Sequence, residues 1–176
     1  MLLRKINAGL SLLSTLLLMD HAIFHGVWML SRGSVEKTAN SLPRILFGVM
    51  VLHAIISIVL AVRGHKGAEK RKCNDYFNIN IATMIQRISG VLLFIYTVLH
   101  IVGTTGILRL PQVVHAVLTP VFFTIALTHT ALSVSKAFIT LGIGNAKLIK
   151  GVDVAVKVLC VMTLIADVAG FYLYLV

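Results

Sequence analysis

Long runs of apolar residues, separated by short polar segments, dominate the pattern of this chain. A transmembrane helix needs about 20 predominantly apolar residues, and several runs reach that length. The pattern therefore predicts an all-α integral membrane protein, with one domain over residues 1–176 that crosses the bilayer five times. The predicted spans are approximately 6–30, 43–62, 80–104, 112–139 and 152–176.

Composition and charge agree with this interpretation. The chain is 58% hydrophobic and 12% charged, against about 25% charged residues in a soluble domain. Its net charge of +10 does not indicate nucleic-acid binding, because most basic residues lie between apolar runs, where they set orientation. Their distribution predicts the cytoplasmic membrane of a prokaryote, with the N-terminus inside and the C-terminus outside. The basic loop 63–76 would be cytoplasmic, either as a dock for a soluble partner or only as an orientation signal.

Histidines on four successive predicted spans are the main candidate chemistry. A single histidine in a span is often a hydrogen-bonding contact between helices. Histidine on each of four spans is harder to explain in that way, and four-helix bundles place cofactors between facing side chains. The candidates are His21 and His25 on the first span, His53 on the second, His100 on the third, and His115 and His129 on the fourth.

Depth in the membrane groups four of these histidines in pairs. At a rise of about 1.5 Å per residue, His21 lies ~24 Å past Lys5 and His100 ~20 Å past Arg87. His53 lies ~15 Å before Arg63 and His129 ~10 Å before Lys136. The first pair is nearer the outside and the second nearer the cytoplasm. Like-directed helices are diagonal neighbours in an up-down bundle, so we expect two bis-histidine b haems stacked across its core.

His25 and His115 remain outside this scheme and are expected at the outer boundary. They are candidates for quinone binding or proton exchange, and the alternative is an ordinary interfacial histidine. His115 and His129 are 14 residues apart on one helix, a spacing that also suits two haems on one face. No other span supplies a matching pair.

The chain resembles the diheme cytochrome b subunit of succinate dehydrogenases and fumarate reductases, in its five-helix, single-anchor type. "LLLMDHAIF" resembles the first ligand segment of that family and "VLHAIISIVLAVRG" the second. "QRISGVLLFIYTVLHI" resembles the third and "ALTHTALSVSKAFITLGI" the fourth. Each is a loose pattern, but their order is specific and covers most of residues 1–144.

The resemblance implies a role for each paired histidine. His21 and His100 become ligands of the outer, distal haem iron, and His53 and His129 ligands of the inner, proximal one. It also implies a flavoprotein and an iron–sulfur protein on the cytoplasmic face, with electrons passing through the haems to or from a quinone, usually menaquinone. The dicarboxylate chemistry would belong to a partner subunit. A dimer of such complexes is compatible with this interpretation.

Polar residues near the ends of the spans are candidate partners of haem propionates. Arg87 in "QRISG" is the first candidate, and a snorkelling interfacial anchor is the alternative. Ser89, Arg44 and Arg63 are further candidates.

Few acids are available for proton chemistry. Asp20 and Glu36 are the outer candidates; Asp20 faces either a quinone or haem edge or a polar contact on another helix. Some members of the family carry a glutamate close to the fourth-span ligand, but here "TIALT" precedes His129. Two other functions remain open: a cytochrome b subunit of a formate dehydrogenase or hydrogenase, or a non-redox transporter that uses its histidines for protons or metal.

Overall fold

A computed structural model describes residues 1–30, 41–70, 81–104 and 112–175. Within these residues the chain forms five α-helices and has no strand. Their bounds are α1 (Leu2–Leu30), α2 (Ser41–Lys70), α3 (Ile81–Thr104), α4 (Gln112–Leu141) and α5 (Ala146–Leu175). The predicted all-α architecture is confirmed, and each predicted span falls on one helix.

Four of these helices are long and apolar enough to cross a membrane. Their apolar stretches are Leu2–Phe24, Leu42–Gly64, Ile81–Gly103 and Leu118–Leu141. Membrane-crossing by α5 stays a prediction, because its described part carries Asp153, Lys157 and Asp167 among its apolar residues.

Helix α2 continues beyond its apolar stretch and corrects one expectation. The segment 63–76 was expected to be a loop because it contains Gly64 and Gly67, but α2 extends to Lys70. A glycine in a helix costs about 1 kcal/mol relative to alanine, and the alanine, glutamate and lysines of the same segment are good helix formers. The helix therefore extends past the apolar stretch, and residues 71–76 of the segment lie outside the described residues.

A tight turn joins α4 to α5. Gly142 and Gly144 have φ angles of 75° and 86°, in the left-handed region that glycine adopts without strain. Asn145 then caps α5, since its Oδ1 accepts a hydrogen bond of 2.9 Å from the backbone N–H of Leu148. The cap satisfies one of the free N–H groups at the helix start.

Side-chain hydrogen bonds fix the relative direction of neighbouring helices. Ser57, in the second half of α2, donates to Oδ1 of Asn7, early in α1 (3.2 Å), whereas Leu46, early in α2, clusters with Leu18, later in α1. Gln86, early in α3, donates from Nε2 to Oγ of Ser133, late in α4 (3.0 Å). The pairs α1–α2 and α3–α4 are therefore antiparallel.

The first four helices form a ring around a small apolar centre. One buried cluster takes a residue from each: Leu18, Leu46, Leu93 and Ala126. We call it the mid-bundle cluster. In the described part of the chain α1 packs against α2 and α4, and α3 against α4, while α2 and α3 touch least. Helices α1 and α3 are thus diagonal, as are α2 and α4.

Helix α5 packs outside this ring, against α1 and α4. A second buried cluster of Met19, Leu127 and Cys160 joins the three helices. Ser135 of α4 donates to Oδ1 of Asp153 of α5 at 2.8 Å, so α5 runs antiparallel to α4 and in the same direction as α1. We call the end of the bundle where α1 and α5 begin the basic end, after Arg4, Lys5, Lys147 and Lys150, and the other end the far end.

Candidate functional site

Four histidines of the ring lie at two heights, one pair on each side of the mid-bundle cluster. His21 is three residues and His100 seven residues beyond the cluster members of α1 and α3, about 4.5 and 10 Å toward the far end. His53 is seven residues and His129 three residues beyond the members of α2 and α4, about 10 and 4.5 Å toward the basic end. Each pair joins two diagonal helices, and the mean heights of the pairs differ by about 15 Å.

The order within each pair differs from the order expected from the basic residues. His100 lies about 6 Å nearer the far end than His21, and His53 lies about 6 Å nearer the basic end than His129. The reason is that the reference charges do not share one height. Arg87 lies six residues from the mid-bundle cluster, whereas Lys5 lies 13 residues from it. A charged side chain can begin inside the membrane and extend to its surface.

His129 has the best defined surroundings of the four. Its Nδ1 lies 3.0 Å from the backbone carbonyl oxygen of Gln86 and 3.1 Å from Oγ of Ser89. A carbonyl oxygen only accepts, so Nδ1 carries the proton in this contact and Nε2 keeps its lone pair. Metal-binding histidines commonly have their second nitrogen fixed in this way. In this tautomer Nε2 is the nitrogen of His129 that could bind a metal.

Gly90 makes room for the His129 ring. A Cβ atom built on Gly90 would lie 2.9 Å from Cε1 and 3.4 Å from Nδ1 of that ring. The imidazole thus lies directly against the backbone of α3. By contrast, a Cβ on Gly9 or Gly48 would meet nothing within 4 Å.

A polar network beside His129 connects α3 and α4, and sequence reasoning missed it. Gln86 accepts a hydrogen bond at Oε1 from Nζ of Lys136 and donates through Nε2 to Ser133. Ser133 donates to the backbone carbonyl of His129 at 2.6 Å, and Lys136 also donates to Oγ1 of Thr83 at 3.3 Å. The spacing of polar residues along "TMIQRIS" and "HTALSVSK" was the available signal.

His53 approaches from α2, diagonally opposite His129. Its ring interacts with the backbone of Asn7 on α1 and lies within electrostatic range of His129. Its Nδ1 is buried without a hydrogen-bond partner.

The far-end pair is less enclosed. His21 is half-buried and interacts electrostatically with Asp20, the residue before it. His100 is exposed, and its ring is parallel to that of Phe122 on α4, with planes 2° apart and centroids 5.6 Å apart.

The candidate propionate partners have different surroundings. Ser89 is 6% exposed; besides contacting His129, it donates to the Gln86 carbonyl at 3.1 Å. Arg44, Arg63 and Arg87 have exposed side chains, and Arg87 lies near enough to Lys136 for their charges to repel.

The other proton and quinone candidates are only partly described. Asp20 is half-buried on α1. His25 and His115 lie within α1 and α4, but their side chains lie outside the described part of the structure, as does all of Glu36.

One buried acid was missing from the sequence-based candidates. Asp167 on α5 is 3% exposed, and its Oδ2 has no hydrogen-bond partner. The fifth predicted span carries no histidine and supplied none of the candidate residues. Its signal is an aspartate among apolar residues in "LIADVAG", since an acid in a membrane helix normally faces protein.

Among the described residues, no three His, Cys, Asp or Glu side chains converge as a metal-binding group. Comparison with known proteins found no family model, no curated protein and no solved structure that matches this chain.

Proposed function

We propose that this chain is the membrane-anchor cytochrome b subunit of a succinate:quinone oxidoreductase, with His21 and His100 as axial ligands of one b haem and His53 and His129 of a second. The observation that carries the proposal is the two-level arrangement of these histidines on diagonal helices. A bis-histidine haem needs one imidazole from each side of the macrocycle, at nearly the same height. Diagonal helices face each other across the ring, and the two histidines of each pair lie within about 6 Å of one another in height.

The local chemistry at His129 supports a metal-ligand role. Its Nδ1–H is engaged by the Gln86 carbonyl, which leaves the Nε2 lone pair for iron. The alternative is a histidine that only joins two helices. The structure gives less reason for that role, because Gln86, Ser133 and Lys136 already connect α3 to α4.

The loose contact between α2 and α3 is also compatible with a group inserted into the ring. When bound, haem accepts and releases one electron at a time. The part played by this chain is to hold the imidazoles and to place cations near the ends of the helices. Quinone would be the membrane-side reactant, and soluble flavoprotein and iron–sulfur partners would dock on the basic end.

A pyridine haemochrome assay on the purified full chain tests this proposal. We expect two b haems per chain, with one lost in each of His21→Ala, His53→Ala, His100→Ala and His129→Ala. His25→Ala and His115→Ala are the matched controls and should keep both. Folded wild-type protein without haem would refute the cytochrome function and favour a transporter. Haem loss in the controls instead would refute the ligand assignment.

A further inference from the structure

The buried face of α5 places one acid in the seam between α1, α4 and α5. The buried residues Cys160, Thr163, Asp167 and Gly170 follow at intervals of three, four and three residues, which is one face of a helix. Cys160 of that face belongs to the cluster shared with α1 and α4. Asp167 is therefore enclosed by protein rather than directed toward lipid.

The charge state of Asp167 follows from its surroundings. It is 3% exposed, and Oδ2 has no hydrogen-bond partner. An ionised carboxylate buried without a partner is so costly that the group takes up a proton instead. The Asp167 side chain is thus expected to be a neutral acid that can release and regain a proton.

The height of Asp167 matches that of His25, one of the two far-end histidines that the haem scheme leaves unused. Asp167 is seven residues beyond Cys160, and His25 six residues beyond Met19 in the same cluster, so their heights agree to within about 1.5 Å. His115 lies 12 residues from Leu127, about 8 Å farther toward the far end. Asp20 and His21 of α1 are one and two residues beyond Met19, about 7.5–9 Å nearer the basic end than Asp167. Tyr172 of α5 is five residues beyond Asp167.

We propose that Asp167 is a proton-relay group, which passes protons between the far-end aqueous phase and a quinone bound near the far-end haem. Reduction of a quinone to its quinol takes two electrons and two protons. The electrons would come from the reduced cytochrome, one proton from the Asp167 carboxyl and the other from far-end water. The carboxylate of Asp167 then regains its proton from the same aqueous phase, and quinol oxidation reverses these steps. The quinone part of this inference rests on the proposed function.

Two measurements on the full-length protein in lipid test the relay. Infrared spectroscopy at neutral pH detects the C=O stretch of a protonated carboxylic acid, which we expect to be lost in Asp167→Asn. Asp153→Asn is the matched control, because Asp153 lies on the same helix but pairs with Lys157 at 2.6 Å. Stopped-flow oxidation of the reduced protein by menadione should slow by roughly 100-fold in Asp167→Asn, with a flattened pH profile and unchanged haem content. Asp167→Glu should restore most of the rate.

The infrared and the stopped-flow measurements distinguish failure of proton binding by Asp167 from failure of the relay. A wild-type protein without the carboxylic-acid band, or a band that survives in Asp167→Asn, would refute proton binding by Asp167. An unchanged menadione rate in Asp167→Asn would refute the relay, even if the band is lost. If the wild type binds no haem, the proposed function fails and the quinone role of Asp167 fails with it, while the infrared band still decides whether Asp167 holds a proton.

Discussion

Substitution of Gly90 by alanine tests the packing of His129 against α3. The added Cβ would lie 2.9 Å from Cε1 of the ring, whereas carbon atoms in contact are normally about 3.5–4.0 Å apart. The ring must therefore move by about 0.6–1.1 Å. Such a shift stretches the 3.0 Å contact of Nδ1 with the Gln86 carbonyl toward or beyond the limit of a hydrogen bond.

The substitution has two opposing effects on the protein. Alanine is favoured over glycine within a helix by about 1 kcal/mol, whereas the lost hydrogen bond costs about 1 kcal/mol. Global stability should therefore change little. Loss of such an outer contact typically lowers metal affinity about 10- to 100-fold, so the haem held by His129 should be selectively depleted.

Haem content measured by pyridine haemochrome, together with thermal unfolding, checks this expectation. Gly90→Ala should bind less than two haems per chain while its unfolding temperature stays near that of wild type. Gly9→Ala is the matched control, because its Cβ would meet nothing within 4 Å, and it should keep both haems. Full haem occupancy in Gly90→Ala, with an unaltered spectrum, would refute the argument.

Two further substitutions test the network and the turn. Lys136→Met removes the donor to Gln86 Oε1 and should lower the free energy of unfolding by about 1 kcal/mol. Haem should stay bound, because the backbone contact of Gln86 with His129 remains. A Lys136→Met protein that folds without haem would contradict this. Gly142→Ala forces a φ of 75° on a residue with a Cβ and should cost about 1–2 kcal/mol of stability in thermal unfolding. Gly151→Ala, within α5 and with open space at its Cβ, is the control and should be neutral or slightly stabilising. Equal stability of the two variants would contradict the turn argument.

The helices could be predicted from the sequence because the membrane sets their length. Runs of about 20 apolar residues have few alternatives in a bilayer, and each predicted span falls on one helix. The prediction failed where α2 leaves its apolar stretch. Beyond Gly64 the helix continues through a polar segment to Lys70, where helix propensity rather than hydropathy favours it.

The candidate site was predictable only in its coarse geometry. Counting residues along helices was enough to group the four histidines into two pairs. Counting residues did not give the order of height within each pair, because Arg87 does not lie at the height of Lys5. The contact between His129 and the Gln86 carbonyl joins residues 43 positions apart, and no local pattern specifies which carbonyl faces a ring. Asp167 is not among the predicted acids, because the sequence does not show that its face of α5 packs against α1 and α4.

The two roles of Gln86 have a consequence for the assembly of the protein. Its main chain holds the imidazole of His129, and its amide binds Ser133 and Lys136. A change of one residue in the register of α4 against α3 combines a shift of about 1.5 Å with a rotation of about 100° and would break all of these contacts together. The α3–α4 pair can therefore set the ring orientation of His129 through contacts within these two helices. During biogenesis, half of the basic-end site would form once α4 packs against α3, whether or not α2 is already packed against them.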